Sequence, residues 1–129
     1  MCKGLGLDLC EVSRMERLLQ NDRFLSRYFT ENEIIYIRSR GKGAAQTMAG
    51  LFAAREALGK ALGGGIDFDL KEAEISHTSS GAPFFCLSGK LKDRIGDTRV
   101  LLSITHDGGM AAAVCLLESE TENQGGSVQ

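Results

Sequence analysis

No run of apolar residues approaches the roughly 20 needed to cross a bilayer, so neither a membrane span nor a membrane partner is expected. Met1-Cys2-Lys3-Gly4 does not open a secretory signal, and the expected location is the cytoplasm. The four cysteines, Cys2, Cys10, Cys86 and Cys115, form no C-x-x-C pair, which argues against a zinc site or a disulfide framework. Cys86 and Cys115 lie in apolar runs, where a thiol behaves as a small hydrophobe, so free thiols are expected. The chain has only two histidines, no internal repeat, and no Gly-x-x-x-x-Gly-Lys phosphate loop. With a net charge of −2 and a hydrophobic fraction of 43%, the body of the chain lacks the composition of a disordered segment.

What is present fits one folded unit, since 129 residues sustain a single core but not two. The domain is expected over residues 1–118, with a disordered tail over 119–129. Past Leu117 the chain carries Glu118, Glu120 and Glu122 with no compensating base. Between Arg14 and Lys42, by contrast, seven basic residues face four acids. That local excess reads as a docking patch for an acidic partner, and no nucleic-acid partner is expected.

Residues 4 to 9 alternate strictly, predicting a strand with Leu5, Leu7 and Leu9 on its core face and Gly4, Gly6 and Asp8 on its open face. Glycines weaken a strand and are tolerated where a ligand or another backbone comes close. Ser13-x-x-Glu16 and Thr30-x-x-Glu33 read as capping boxes opening two short helices, with a helical turn around Phe24, Leu25, Tyr28 and Phe29 pinned to the core between them. Arg38 to Gly43 reads as a flexible basic loop. A long helix is predicted from Ala44 to Leu62, ended by Gly63-Gly64-Gly65. At about 100° per residue, Leu51, Leu58 and Leu62 form a buried stripe nearly opposite Glu56, Lys60, Ala49 and Ala53. Hairpins are predicted over 73–87 and 100–117, with a short helix capped by Ser88 between them.

Glu56 and Lys60, one turn apart, form either an ordinary exposed ion pair worth about 0.2–0.5 kcal/mol or half of a reactive site. Asp8, set among leucines, needs a partner to offset its desolvation. Two carboxylates from different elements, with no histidine pair nearby, suit a hard divalent cation such as Mg²⁺. Lys60 then supplies a point charge for a phosphate oxygen. His106, at a hairpin mouth before Gly108 and Gly109, is either a phosphate contact or proton carrier or a solvated turn residue. His77, in a strand, is assigned to structure. Arg14 and Arg17 with Met15 and Leu18 give a short helix with one cationic and one apolar side, either solvated or docking an acidic helix.

Taken in order, Gly-Leu-Gly-Leu-Asp-Leu at 4–9, Phe29-Thr30-Glu31-x-Glu33, Phe52-Ala53-Ala54-Arg55-Glu56-Ala57-x-x-Lys60-Ala61-Leu62, Gly81-x-Pro83 and Ser103-Ile104-Thr105-His106 resemble the holo-acyl-carrier-protein synthase family. This is the small bacterial type of 4′-phosphopantetheinyl transferase, and the resemblance runs from about residue 4 to residue 118. It implies an α+β fold, with a three-stranded antiparallel sheet packed against a long helix. The implied activity is transfer of the phosphopantetheine arm of coenzyme A to a serine of apo-acyl carrier protein, releasing adenosine 3′,5′-bisphosphate, in fatty acid biosynthesis.

By the same resemblance Asp8 and Glu56 hold Mg²⁺, which Mn²⁺ is expected to replace, and Asp8, Glu56, Lys60 and His106 form the catalytic set. Lys42, Lys60, Gly81, Pro83 and His106 contact coenzyme A, while Arg14, Met15, Arg17, Leu18 and Arg23 dock the carrier protein. Active sites shared between the subunits of a homotrimer are also implied. Several positions depart from the family pattern: Leu51 and Ala82 stand where arginine and lysine are common, Arg55 replaces a lysine, and Asp107 follows His106. The competing readings are a non-catalytic carrier-protein or coenzyme A binding module and a Mg²⁺-dependent enzyme acting on another nucleotide.

Overall fold

A computed structural model describes residues 1–119 and contains two antiparallel sheets and five helices. Strand β1 (Cys2–Glu11) leads directly into α1 (Val12–Leu18), α2 (Asp22–Tyr28) and α3 (Glu31–Ser39). A 3-10 turn over Gly41–Gly43 opens α4 (Ala44–Leu62). After a second 3-10 turn, β2 (Ala73–His77) and β3 (Pro83–Leu87) pair as a hairpin. Helix α5 (Gly89–Ile95) precedes β4 (Arg99–Asp107) and β5 (Met110–Glu118). The larger sheet has the order β1-β5-β4, with β5 in the middle. The fold is therefore the expected α+β arrangement, with α4 lying on one face of that sheet.

The alternation in β1 is real, but its sense is reversed. Leu5, Leu7 and Leu9 are 64%, 61% and 62% exposed, whereas Gly6 and Cys10 are buried. Strict alternation separates two sets of side chains onto opposite faces without saying which face points inward. Here the helix decides, because a Cβ on Gly6 would occupy the position of the Ala57 carbonyl oxygen. A Cβ on Gly4 would meet the carbonyl of Ala61 in the same way. The glycines admit another backbone, that of α4, and Asp8 is carried on this same helix-facing side.

This contact also revises the view of α4 as a helix with one open face. Ala49, Ala53, Ala57 and Ala61 are buried together with Leu51 and Leu58. Small side chains on the sheet-facing side bring sheet and helix close, and the leucines pack on the opposite side. Glu56, half-buried, and Lys60, exposed, lie at one edge of the interface. Gly63 closes the helix at φ 95°, donating its N–H to the Gly59 and Lys60 carbonyls, as a left-handed C-cap does.

Thr30 and Glu33 form the predicted capping box, with both reciprocal hydrogen bonds present. Ser13 does not cap α1, which begins one residue earlier at Val12. The Val12 N–H instead donates to the carbonyl of Gly109 in the β4–β5 turn, 2.9 Å away. Ser88 likewise makes no side-chain cap on α5; the Glu72 carboxylate takes the Leu91 N–H at 3.0 Å. The expected loop over Arg38 to Gly43 is the end of α3 followed by the 3-10 turn. Strand β4 extends through Asp107, so His106 belongs to its last turn-proximal residues. Of the tail expected over 119–129, Ser119 donates to the Met1 carbonyl at 2.8 Å, and the remainder lies outside the described residues. Glu118 is paired with Arg99 at 3.2 Å.

All four cysteines are free thiols. Cys115 is buried on the inner face of β5, and desolvation pushes its pKa up to about 12. Cys86 is exposed, on a strand that pairs with β2. Among the described residues no helix is long and apolar enough to cross a membrane.

Candidate active site

Two clusters of functional side chains flank α4. At one, β1 presents Asp8 to the helix, and α4 presents Glu56 and Lys60 one turn apart. Lys60 Nζ donates to Asp8 Oδ1 at 3.0 Å and to the Leu7 carbonyl at 3.0 Å. The lysine therefore pairs across elements with the strand aspartate, not along its own helix with Glu56. Burial, followed by the nearby negative charge of Asp8, raises the Glu56 pKa; the positive charges of Lys60 and Arg14 act against that rise. Asp8 and Glu56 are thus electrostatically coupled, an arrangement that a cation between them would relieve. The described residues contain no group of three or more His, Cys, Asp or Glu side chains able to hold a metal. The donor set here is two carboxylates, which suits a hard divalent ion keeping further positions for water and phosphate oxygens.

The second cluster surrounds a cavity of about 240 Å³ between α3, the start of α4, the β2–β3 hairpin and β4. Gly81, Pro83 and His106, three of the residues expected to contact the coenzyme, line it together. Gln46 on α4 places its Nε2 3.1 Å from Nε2 of His106. Lys42, on the preceding 3-10 turn, is exposed and is not among the lining residues. Leu51 forms part of the wall and leaves that surface apolar. Gln46 and Glu56 are ten residues apart on one helix, about 15 Å along its axis. A single chain therefore does not bring His106 to the two carboxylates; Asp8, Glu56 and Lys60 cluster, and His106 stands apart.

Sequence reasoning missed other residues of this cavity. Tyr36 and His77 stack with ring centroids 4.3 Å apart and planes 15° from parallel, and both line the cavity with Arg40. Tyr36 and Arg40, at i and i+4 of α3 and the residue that follows it, carried a usable signal as a shared helix face. His77 carried none, since a histidine in a short strand has no distinctive spacing.

Of the proposed docking residues, Arg14, Arg17 and Arg23 are exposed and Leu18 is half-buried. Met15 is fully buried, so it contributes to the core and not to a docking surface. A seven-residue helix packed against α4 needs an inward anchor, and Met15 is that anchor. Arg14 crosses the Phe52 ring at 5.0 Å, close enough to Glu56 for its charge to be felt there.

Arg55 has a clear structural role. Arg55 and Glu33 form a buried bidentate pair at 2.7 and 2.8 Å. Arg55 also donates to the carbonyls of Tyr28 and Ala73, while Glu33 accepts the N–H of Ile75 at 2.7 Å. The pair ties α3, α4 and β2 together behind the aromatic cluster of Phe24, Tyr28 and Phe52.

The chain is thus an α+β unit with two carboxylates and a lysine toward one end of α4 and a cavity lined by Arg40 and two histidines toward the other. The chain belongs to the 4′-phosphopantetheinyl transferase superfamily, whose family model matches residues 4–115. It is 42% identical over 123 residues to a holo-[acyl-carrier-protein] synthase of Treponema denticola, covering 92% of this chain and 99% of that relative. The crystal structure of the holo-[acyl-carrier-protein] synthase from Neisseria meningitidis superposes with a TM-score of 0.82 at 29% identity, covering 92% of this chain and all of that one. A holo-(acyl-carrier-protein) synthase from Bacillus anthracis, solved in complex with coenzyme A (3′,5′-ADP), gives a TM-score of 0.79 at 34% identity. That match covers 93% of this chain and 99% of the other.

Proposed function

We propose that this chain transfers the 4′-phosphopantetheine arm of coenzyme A to a serine hydroxyl of apo-acyl carrier protein, in the cytoplasm and in the service of fatty acid biosynthesis. The serine oxygen forms a bond to the phosphorus bearing the pantetheine. The bond from that phosphorus to the bridging oxygen breaks, and adenosine 3′,5′-bisphosphate leaves while the serine loses its proton. The observation that carries this reading is the meeting of Asp8, Glu56 and Lys60 at one edge of α4, in a chain so similar to holo-[acyl-carrier-protein] synthases.

Asp8 and Glu56 are the side chains suited to hold Mg²⁺ or Mn²⁺, which when bound clamps the diphosphate and offsets charge on the leaving group. Lys60 reaches a phosphate oxygen once its ammonium leaves Asp8. Arg14, Arg17 and Arg23, with Leu18 at their edge, form the face for the acidic helix of the carrier protein. Gly81, Pro83 and His106 receive the nucleotide end, with Lys42 at the rim.

The active unit in this reading is a homotrimer with shared sites. Two observations support it. The outer face of the larger sheet carries the aligned rows Leu5–Leu116–Leu101 and Leu7–Val114–Ser103, apolar except for the serine, and no element of the described residues covers it. A neighbouring copy seated there buries leucines worth about 1.5–3 kcal/mol each on full burial. The separation of His106 from the carboxylates along α4 is the second, because a neighbour's cavity can complete the site that one chain leaves open.

The test is a mass measurement on carrier protein incubated with this enzyme, coenzyme A and Mg²⁺. The expected result is a gain of one phosphopantetheine arm, abolished by Asp8→Ala, Glu56→Ala or excess chelator. Binding of coenzyme with no mass gain would leave only a binding module. Arg14→Glu is expected to raise the Michaelis constant for the carrier more than that for coenzyme A.

A further inference from the structure

Arg14 faces two surfaces at once. It stands in the first turn of α1, on the same short exposed helix as Arg17. It also reaches back over α4, where its guanidinium lies 5.0 Å from the centroid of the Phe52 ring. Phe52 and Glu56 are one turn apart on α4 and line one small cleft with Tyr28, Ile66 and Leu70. Helix α1 follows directly on the strand that carries Asp8. The ring contact therefore fixes a positive charge near the edge where Asp8 and Glu56 meet. Groups on both elements feel it. Burial and then Asp8 push the Glu56 pKa up, opposed by Lys60 and Arg14; burial pushes the Cys10 thiol up, opposed by Arg14. Among the described residues no carboxylate forms an ion pair with Arg14, whereas Lys60 is already paired with Asp8.

We propose that Arg14 couples carrier docking to metal loading: its charge opposes a divalent cation at Asp8 and Glu56, and a carrier carboxylate paired with it lifts that opposition. This rests on the carrier and metal readings given above. A dication feels a neighbouring guanidinium twice as strongly as a monovalent ion does, because the energy scales with the product of the charges. A carboxylate at hydrogen-bond distance turns that single charge into a dipole, whose field falls off faster with distance. The cation–π contact keeps the guanidinium over α4, so the pairing is sensed at the carboxylates and not lost to solvent. Among the described residues neither Arg17 nor Arg23 lies over an aromatic ring, so these two attract the carrier without transmitting its arrival. The effect is reciprocal: a bound cation strengthens carrier docking by the same factor.

Mn²⁺ titration of the full chain without coenzyme, read by electron paramagnetic resonance, tests the coupling. It is run with and without saturating apo-acyl carrier protein, with a carrier-only blank subtracted and docking followed by anisotropy of labelled carrier. Wild type is expected to bind Mn²⁺ about three- to tenfold more tightly with the carrier docked, near the low end for coupled sites because both lie close to solvent. Arg14→Met is expected to show that tighter binding from the start and to gain little from the carrier. Arg17→Met is expected to need more carrier for saturation yet keep the full gain. A gain that persists undiminished in Arg14→Met overturns the coupling, because the carrier's own charges then supply it. Weaker Mn²⁺ binding by Arg14→Met overturns it too, as does docking that leaves the wild-type Mn²⁺ affinity unchanged. Docking with no Mn²⁺ uptake at all overturns the metal reading itself, and Mn²⁺ uptake with no docking overturns the carrier reading.

Discussion

Lys60 Nζ stands 3.0 Å from Asp8 Oδ1 and is held there by a second hydrogen bond to the Leu7 carbonyl. The ammonium neutralises one of two coupled carboxylates, and a divalent cation taking up Asp8 has to compete with it. The Lys60 side chain is 53% exposed, so its release into solvent or onto a phosphate meets little packing resistance. Lys60→Met is therefore expected to bind Mn²⁺ several-fold more tightly than wild type without coenzyme, read by electron paramagnetic resonance. The same variant is expected to transfer the arm at least about tenfold more slowly, because a donor to developing charge is gone. Weaker or unchanged Mn²⁺ binding would contradict the competition.

Arg55 and Glu33 are almost fully buried, at 3% and 0% side-chain exposure, and each is satisfied by further hydrogen bonds. Removing one partner strands the other charge in the core, a loss of about 3–5 kcal/mol. Arg55→Met should accordingly move the urea midpoint far down. Arg55→Lys keeps the charge but loses the two-pronged contact, so its loss should be smaller. Equal midpoints for the two variants would show that the fork geometry contributes nothing.

The long helix was legible to the residue, because an Ala-rich run closed by three glycines leaves little choice of boundary. The capping box of Thr30 and Glu33 was legible for the same local reason. The inward face of β1 was not. Leucine usually points inward, but here the close approach of α4 requires glycine, and that approach is a tertiary fact invisible to periodicity. The caps of α1 and α5 failed likewise: Gly109 and Glu72, distant in sequence, supply what Ser13 and Ser88 seemed placed to give. Asp8, Glu56 and Lys60 were legible as a set through their family pattern. Their distance from His106 along α4 emerges only from the packing.

Burial, with Arg40 second, holds His77 below the ordinary imidazole pKa, against a smaller opposing pull from Glu33. Between the folded value and the ordinary one of about 6.5, the unfolded chain binds a proton that the native chain refuses. Stability should therefore rise with pH through that window and level off above it. His77→Gln is expected to flatten this slope in denaturation measured from pH 5 to 7. In proton resonance titrations, Arg40→Met should move the His77 midpoint upward while leaving it below the ordinary value, since burial remains. A His77 midpoint at or above the ordinary value in the wild-type protein would contradict the stacked, half-buried placement.

Leu7 lies midway along the edge strand β1 on the uncovered sheet face, opposite Val114 and flanked on its own strand by Leu5 and Leu9. Contiguous apolar surface of this kind is uncommon on a monomer and marks an interface. A carboxylate introduced there costs nothing in an isolated chain, because the position is 61% exposed, but is expelled from any interface that covers it. Leu7→Asp is thus expected to convert the trimer to monomers in sedimentation velocity at micromolar concentration, with the far-ultraviolet circular dichroism retained. Transfer activity should fall with the trimer, since the cavity of one copy no longer meets the carboxylates of the next. A wild-type protein that sediments as an active monomer, or a Leu7→Asp trimer, would remove the shared-site arrangement and require one chain to bridge both ends of α4 alone.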